Sequence, residues 1–159
     1  MAVEIERKFL VASPAWRENA VAKRHFRQGY LARAGSASVR VRSDGERAWL
    51  NIKAAVAGRS RREFEYPVPL ADAEVMLDEL CDAGHVEKTR YWVPFGGHDW
   101  EVDVFEGANS GLVVAEVELA DAREPVEIPL WAGPEVTEDV RYYNNYLALH
   151  PYGSWTSDG

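Results

Sequence analysis

Cysteine is nearly absent: Cys81 is the sole thiol in 159 residues, which excludes an internal disulfide and leaves a buried or half-buried thiol. No apolar run reaches the length of a membrane-spanning helix. The opening residues, Met1-Ala2-Val3-Glu4-Ile5-Glu6, lack the basic and then apolar segments of a secretory signal. A cytoplasmic location without a membrane partner is the expectation. Basic charge is also scarce. The 18 Lys and Arg against 26 Asp and Glu give a formal net charge of -8, so a broad basic surface for nucleic acid is not expected. The four histidines, His25, His85, His98 and His150, are scattered, and no Ser, Cys or His is placed as a covalent nucleophile. Repeats, low-complexity tracts and linkers are missing too. The length suits one domain over residues 1–150, followed by a disordered tail at 151–159.

What the chain has in quantity is alternation. Strands are expected over residues 2–11, 26–33, 37–43, 47–55, 61–68, 86–95, 99–106 and 112–120. Ser43-Asp44-Gly45-Glu46 is a hairpin turn whose Asp-Gly pair supplies positive φ, and Phe95-Gly96-Gly97-His98 is another turn. Helices are expected at residues 14–20, at 72–83 with Gly84 as the stop, and from a Thr137 cap to residue 149. Three prolines between Pro125 and Pro134 make that stretch a rigid connection. These elements predict a mainly β (α+β) fold: an eight-stranded closed antiparallel β-barrel with helices packed outside and a C-terminal helix. Closure would remove the unpaired edges that an open sheet exposes.

The charges recur two apart within the strands: Glu4/Glu6, Arg40/Arg42, Glu63/Glu65, Lys88/Arg90, Glu101/Asp103 and Glu116/Glu118. Lys8 extends the first series, and Lys53 stands alone. Residues i and i+2 share a face of a strand, and the intervening Ile5, Val41, Phe64, Val102 and Val117 are apolar. Wet outer faces over an apolar core are one explanation. Like charges side by side are costly, however, unless opposite charge lies between them. Segregated acidic and basic strands fit a cavity that binds cations on one wall and anions on another. Arg and Lys suit the oxygens of a polyphosphate, and carboxylates suit Mg²⁺ or Mn²⁺.

These residues resemble the CYTH superfamily, the triphosphate tunnel metalloenzymes. Glu4-Ile5-Glu6-Arg7-Lys8 matches the opening ExExK signature. Gln28-Gly29-Tyr30-Leu31, Val39-Arg40-Val41-Arg42, Lys53, Arg62-Glu63-Phe64-Glu65, Glu87-Lys88-Thr89-Arg90-Tyr91, Glu101-Val102-Asp103-Val104-Phe105 and Glu116-Val117-Glu118 follow in the family's order. The closing stretch around Arg141 is similar to the short bacterial inorganic triphosphatases. The resemblance implies phosphate binding by Lys8, Arg40, Arg42, Lys53, Lys88 and Arg90. It places metal at Glu4, Glu6, Asp103, Glu116 and Glu118. Glu63, Glu65 and Tyr30 join Lys8 around the reaction. Tyr143 stands where many relatives carry Lys or Arg, which removes a phosphate contact or leaves Arg141 to supply it.

The implied reaction is metal-dependent hydrolysis of inorganic triphosphate to diphosphate and phosphate, with two divalent ions, Mg²⁺ or Mn²⁺, in the working complex. The implied partner is a small-molecule triphosphate, and homodimers occur among relatives. Nucleoside or thiamine triphosphate hydrolysis, adenylate cyclisation and non-catalytic polyphosphate binding are the alternatives. Trp49, Trp92 and Trp100 are candidates to stack on an organic group, with ordinary packing as their other reading.

Overall fold

The alternation becomes one antiparallel sheet in a computed structural model of the chain. It describes residues 2–34, 37–54, 60–81 and 84–155, except the side chains of 2–4, 33–34, 60–61 and 145. The strands are β1 (Ala2–Val11), β2 (Ala22–Ala34), β3 (Ala37–Ser43), β4 (Ala48–Ala54), β5 (Ser60–Val68), β6 (His85–Phe95), β7 (His98–Phe105), β8 (Val113–Glu118) and β9 (Ala132–Glu135). Their order in the sheet is β5-β4-β3-β2-β6-β7-β8-β1-β9.

This corrects the expected eight-stranded closed barrel. Among the described residues the sheet has nine strands, and β1 meets β5 along a short seam, from Ala2 opposite Glu63 to Ile5 opposite Ser60. Beyond that seam β1 changes partners. The Val136 amide donates to the Lys8 carbonyl at 2.8 Å, and β9 pairs with Phe9 and Val11. The ninth strand comes from the Pro-rich stretch expected to be a simple connection. Pro134 is tolerated there because β9 lies at an edge of the sheet. The result is a curled sheet whose edges touch at one end.

Apolar faces point outward under a cover. Phe9, Val93, Trp100, Val102, Ala115 and Val117 pack with Trp16 and Trp131. Trp16 comes from a 3-10 turn at Pro14–Asn19. On the other flank Val41 and Ala48 pack under Ala73, Leu77 and Cys81. These belong to α1 (Leu70–Val75), its wider π-type turn at Met76–Leu80, and the residue after it. Each fully buried Val contributes roughly 1.5–3 kcal/mol. Gly29 allows this helix to approach, since a Cβ there would lie 2.7 Å from both Cys81 Cβ and Sγ.

The third cluster lies on the other face. Val86, Phe105, Val114 and Leu147 pack with Leu10, and all but Leu147 share strand parity with the charged residues. They close one end of the charged interior with help from α2 (Asn144–Leu149). The expected helix over residues 137–149 is broken here. A 3-10 turn at Val140–Tyr142 precedes α2, and Tyr143 between them is extended, with φ -84° and ψ 145°. No helix among the described residues is long and apolar enough to cross a membrane.

Candidate active site

Cross-strand register assembles the charged residues. Arg42 stands opposite Gln28, and Arg40 opposite Tyr30 and Asn51. Lys53 stands opposite Glu63, and Asn51 opposite Glu65. Across the sheet, Arg90 faces Asp103, Glu101 faces Glu116, Lys8 faces Glu116, and Glu6 faces Glu118. Directly paired residues share a face, so these side chains converge. They enclose a cavity of 130 Å³ with Arg40, Arg42, Lys53 and Arg90 on one wall and Glu6, Glu101, Glu116 and Glu118 on another. Lys8, Glu63, Glu65 and Asn144 complete its lining.

Much of this face is buried, with Glu65 and Glu118 exposed. Lys8 is 3% exposed, Arg40 7% and Glu116 8%. Charges so buried need partners, and most have them. Lys8 Nζ lies 2.9 Å from Glu116, Arg90 2.7 Å from Glu101, Arg42 3.5 Å from Glu65 and Lys53 3.8 Å from Glu63. Asn51 donates to Glu63 at 2.8 Å and to Glu65 at 3.1 Å, fixing that carboxylate pair. Arg40 differs. Among the described residues it makes no ion pair, and its Nε is buried without a hydrogen-bond partner.

The protonation states follow from this crowding. Burial pushes the Asp103 carboxyl up, but Arg90 and Lys88 outweigh it and hold it at about 2. Burial likewise opposes ionisation of Glu116, which Lys8, Arg90 and Lys88 hold well below the usual carboxylate range. Glu101 is raised, chiefly by burial and then by Glu116 and Asp103 against the pull of Arg90. Burial, with Arg40 and Arg90 nearby, lowers Arg42 to about 10.

Of the residues singled out from the sequence, Lys8, Arg40, Arg42, Lys53, Arg90, Glu6, Glu63, Glu65, Glu116 and Glu118 meet at the cavity. Glu4 lies on the same strand parity, opposite Arg61, but its side chain is outside the described set. Asp103 and Lys88 sit behind the lining, paired at 2.8 Å. Asp103 also accepts two hydrogen bonds from Arg90. Tyr30 is buried without lining the cavity. Arg141 stands apart, bound to Asp139 at 2.7 Å. Trp100 is core and Trp49 lies against Arg42, whereas Trp92 borders a neighbouring hollow with Glu101 and Glu118.

Three lining or supporting residues carried no assigned role in the sequence: Glu101, Asn51 and Asn144. Glu101 was detectable through its alternation with Asp103. The two amides had no such signal, because their role depends on strands or segments far along the chain. A separate group, His25, Glu87 and Glu106, brings one possible metal-ligand atom each within 4.8 Å of one another. It is a candidate cation site, but His25 and Glu87 alternate with Phe26 and Lys88 and so occupy the outer face.

The chain resembles known proteins over nearly its whole length. The CYTH domain family matches residues 2–147. An inorganic triphosphatase of Acetivibrio thermocellus is 43% identical over 152 residues, covering 96% of this chain and 97% of that protein. One from Nitrosomonas europaea is 42% identical over 151 residues, covering 92% and 97%. A crystal structure of an inorganic triphosphatase is 37% identical and superposes with a TM-score of 0.69, covering 94% of this chain and 96% of that one.

Proposed function

We propose that this chain, which belongs to the CYTH domain family, hydrolyses inorganic triphosphate to diphosphate and phosphate with divalent metal. The observation that carries the reading is Arg40, a buried guanidinium without an ion-pair partner among the described residues. Leaving such a charge uncompensated costs several kcal/mol, on the order of 3–5. Its neighbours Arg42 and Lys88 are both depressed, chiefly by burial and then by surrounding cations. An anion with several oxygens relieves all three at once. The lining contains charged side chains and one amide, with no aromatic ring among its described members, which favours a substrate without an organic group.

The opposite wall fits metal by its chemistry. Glu6, Glu101, Glu116 and Glu118 offer oxygen alone, the donor that Mg²⁺ and Mn²⁺ prefer, and Glu4 continues the same strand face. Two such ions held there would neutralise phosphate oxygens and acidify the attacking water. Arg40, Arg42, Lys53 and Arg90 grip the triphosphate and stabilise the charge that develops on the leaving diphosphate. Lys8 stands between the walls and serves the phosphate next to the carboxylates. Asn51 holds Glu63 and Glu65 in place to orient water. Lys88 and Asp103 support the site from behind.

A phosphate-release panel tests this. It compares inorganic triphosphate, ATP, thiamine triphosphate and longer polyphosphate with Mg²⁺, with Mn²⁺ and without metal. Inorganic triphosphate should be the best substrate, turnover should require metal, and Glu116→Gln should abolish it without unfolding the chain. Poorest turnover on inorganic triphosphate, or cyclic AMP from ATP, would overturn the substrate assignment.

A further inference from the structure

Tyr143 stands where the resemblance implies that many relatives carry a basic side chain, and its surroundings define a different task. The residue is 4% exposed. Its hydroxyl donates to the Thr137 carbonyl at 2.6 Å, so the ring is anchored at its far end. The Lys8 ammonium stands over that ring, 4.4 Å from the centroid. Lys8 Nζ also donates to the Tyr142 carbonyl at 3.4 Å and pairs with Glu116 at 2.9 Å. The same segment holds the Lys8 backbone, whose amide donates to Thr137 Oγ1 at 3.0 Å.

We propose that Tyr143 is a positioning residue for Lys8, setting where the ammonium stands relative to the triphosphate. This rests on the triphosphate reading of the cavity. The physical point is the kind of attraction involved. A carboxylate holds an ammonium by cancelling its charge, whereas the face of an aromatic ring attracts the cation and leaves its charge intact. Burial lowers the Lys8 pKa, but Glu116 and then Glu6 outweigh it and raise it, pulling the ammonium towards the acidic wall. The ring holds it at the boundary, where a phosphate oxygen can still use it. A Lys or Arg at 143 would add one more cation; Tyr143 instead secures one already present.

Two substitutions separate this role from packing. Tyr143→Phe keeps the ring and loses the anchor, and its KM should stay within about twofold of wild type. Tyr143→Leu fills the space without a π face, and should raise KM about tenfold with kcat changed far less. Tyr143→Met replaces the Leu variant if that chain does not fold. Metal-free calorimetric binding of inorganic triphosphate supplies the second readout. In a Lys8→Met background the Leu substitution should weaken binding no further. Equal KM losses in the Phe and Leu variants would overturn the proposal, as would a Leu effect that persists without Lys8. The proposed reaction fails separately, if wild type binds triphosphate and does not hydrolyse it.

Discussion

Raising the pH tests the charge balance within the cavity through Lys88. This ammonium is 1% exposed, and lies 2.8 Å from Asp103. Burial lowers its pKa most, Asp103 raises it, and Arg90 and Arg40 lower it again, to about 8 from 10.5. The unfolded chain recovers the ordinary value. Between pH 8 and 10.5 the unfolded state therefore binds this proton more tightly, so the Lys88 contribution to stability rises with pH across that window and is constant below it. The displacement corresponds to about 3 kcal/mol. Triphosphate on Arg40, Arg42 and Arg90 acts in the opposite sense, because nearby negative charge favours the ammonium. Calorimetric titrations in metal-free buffers of different ionisation enthalpy measure the linked proton, and Lys88→Met subtracts protons exchanged by the ligand itself. At pH 8 wild type should take up about half a proton more than Lys88→Met, and at pH 6.5 almost none more. Equal uptake by the two proteins at pH 8 would refute this charge balance.

Arg40→Met should raise KM for triphosphate about ten- to a hundredfold, the loss of one charge-assisted contact, with a smaller change in kcat. Steady-state kinetics checks it, and an unchanged KM would remove Arg40 from the phosphate wall. Gly29→Ala should destabilise the fold by about 1–3 kcal/mol, because the added Cβ meets Cys81 at 2.7 Å and Leu77 at 3.2 Å. Urea unfolding measures the loss; unaltered stability would mean that α1 moves aside freely.

The strands and the inward residues were legible because both obey a period of two. The paired charges two apart share one face, while the adjacent Arg7 and Glu87 lie on the other, and register then brought Lys8 beside Glu116 and Lys53 beside Glu63. Other features depend on partners remote in sequence. β9 is four residues with Gly and Pro, a poor strand in isolation, and it forms because β1 offers an edge from Phe9 onward. The expected closed barrel was a count of strands, and counting does not reveal that β1 changes neighbours midway. The break before α2 has a similar origin. The Thr137 cap suggested a continuous helix to residue 149, but Tyr143 is extended, hydrogen-bonded to Thr137 and set against Lys8. Thr137, expected as a helix cap, instead accepts from the Lys8 amide and donates to Glu135 at 2.6 Å.

The ion pairs that fill the cavity bear on how it engages its ligands. Several carboxylates suited to metal or water are already held by cations suited to phosphate: Glu116 by Lys8, Glu101 by Arg90, Glu63 by Lys53 and Glu65 by Arg42. A cation arriving alone would draw a carboxylate from its partner and leave a buried ammonium or guanidinium uncompensated. A phosphate arriving alone would do the reverse. Stranding one member costs on the order of 3–5 kcal/mol for the buried Lys8–Glu116 pair, and less where the carboxylate is partly exposed, as at Glu65. When metal and triphosphate arrive together, both members of every opened pair find a new partner, so the cavity favours the complex over either component. Arg40 is the exception that gives the anion a foothold. It has no ion pair to break among the described residues, and its charge is available before any other contact in the cavity is disturbed.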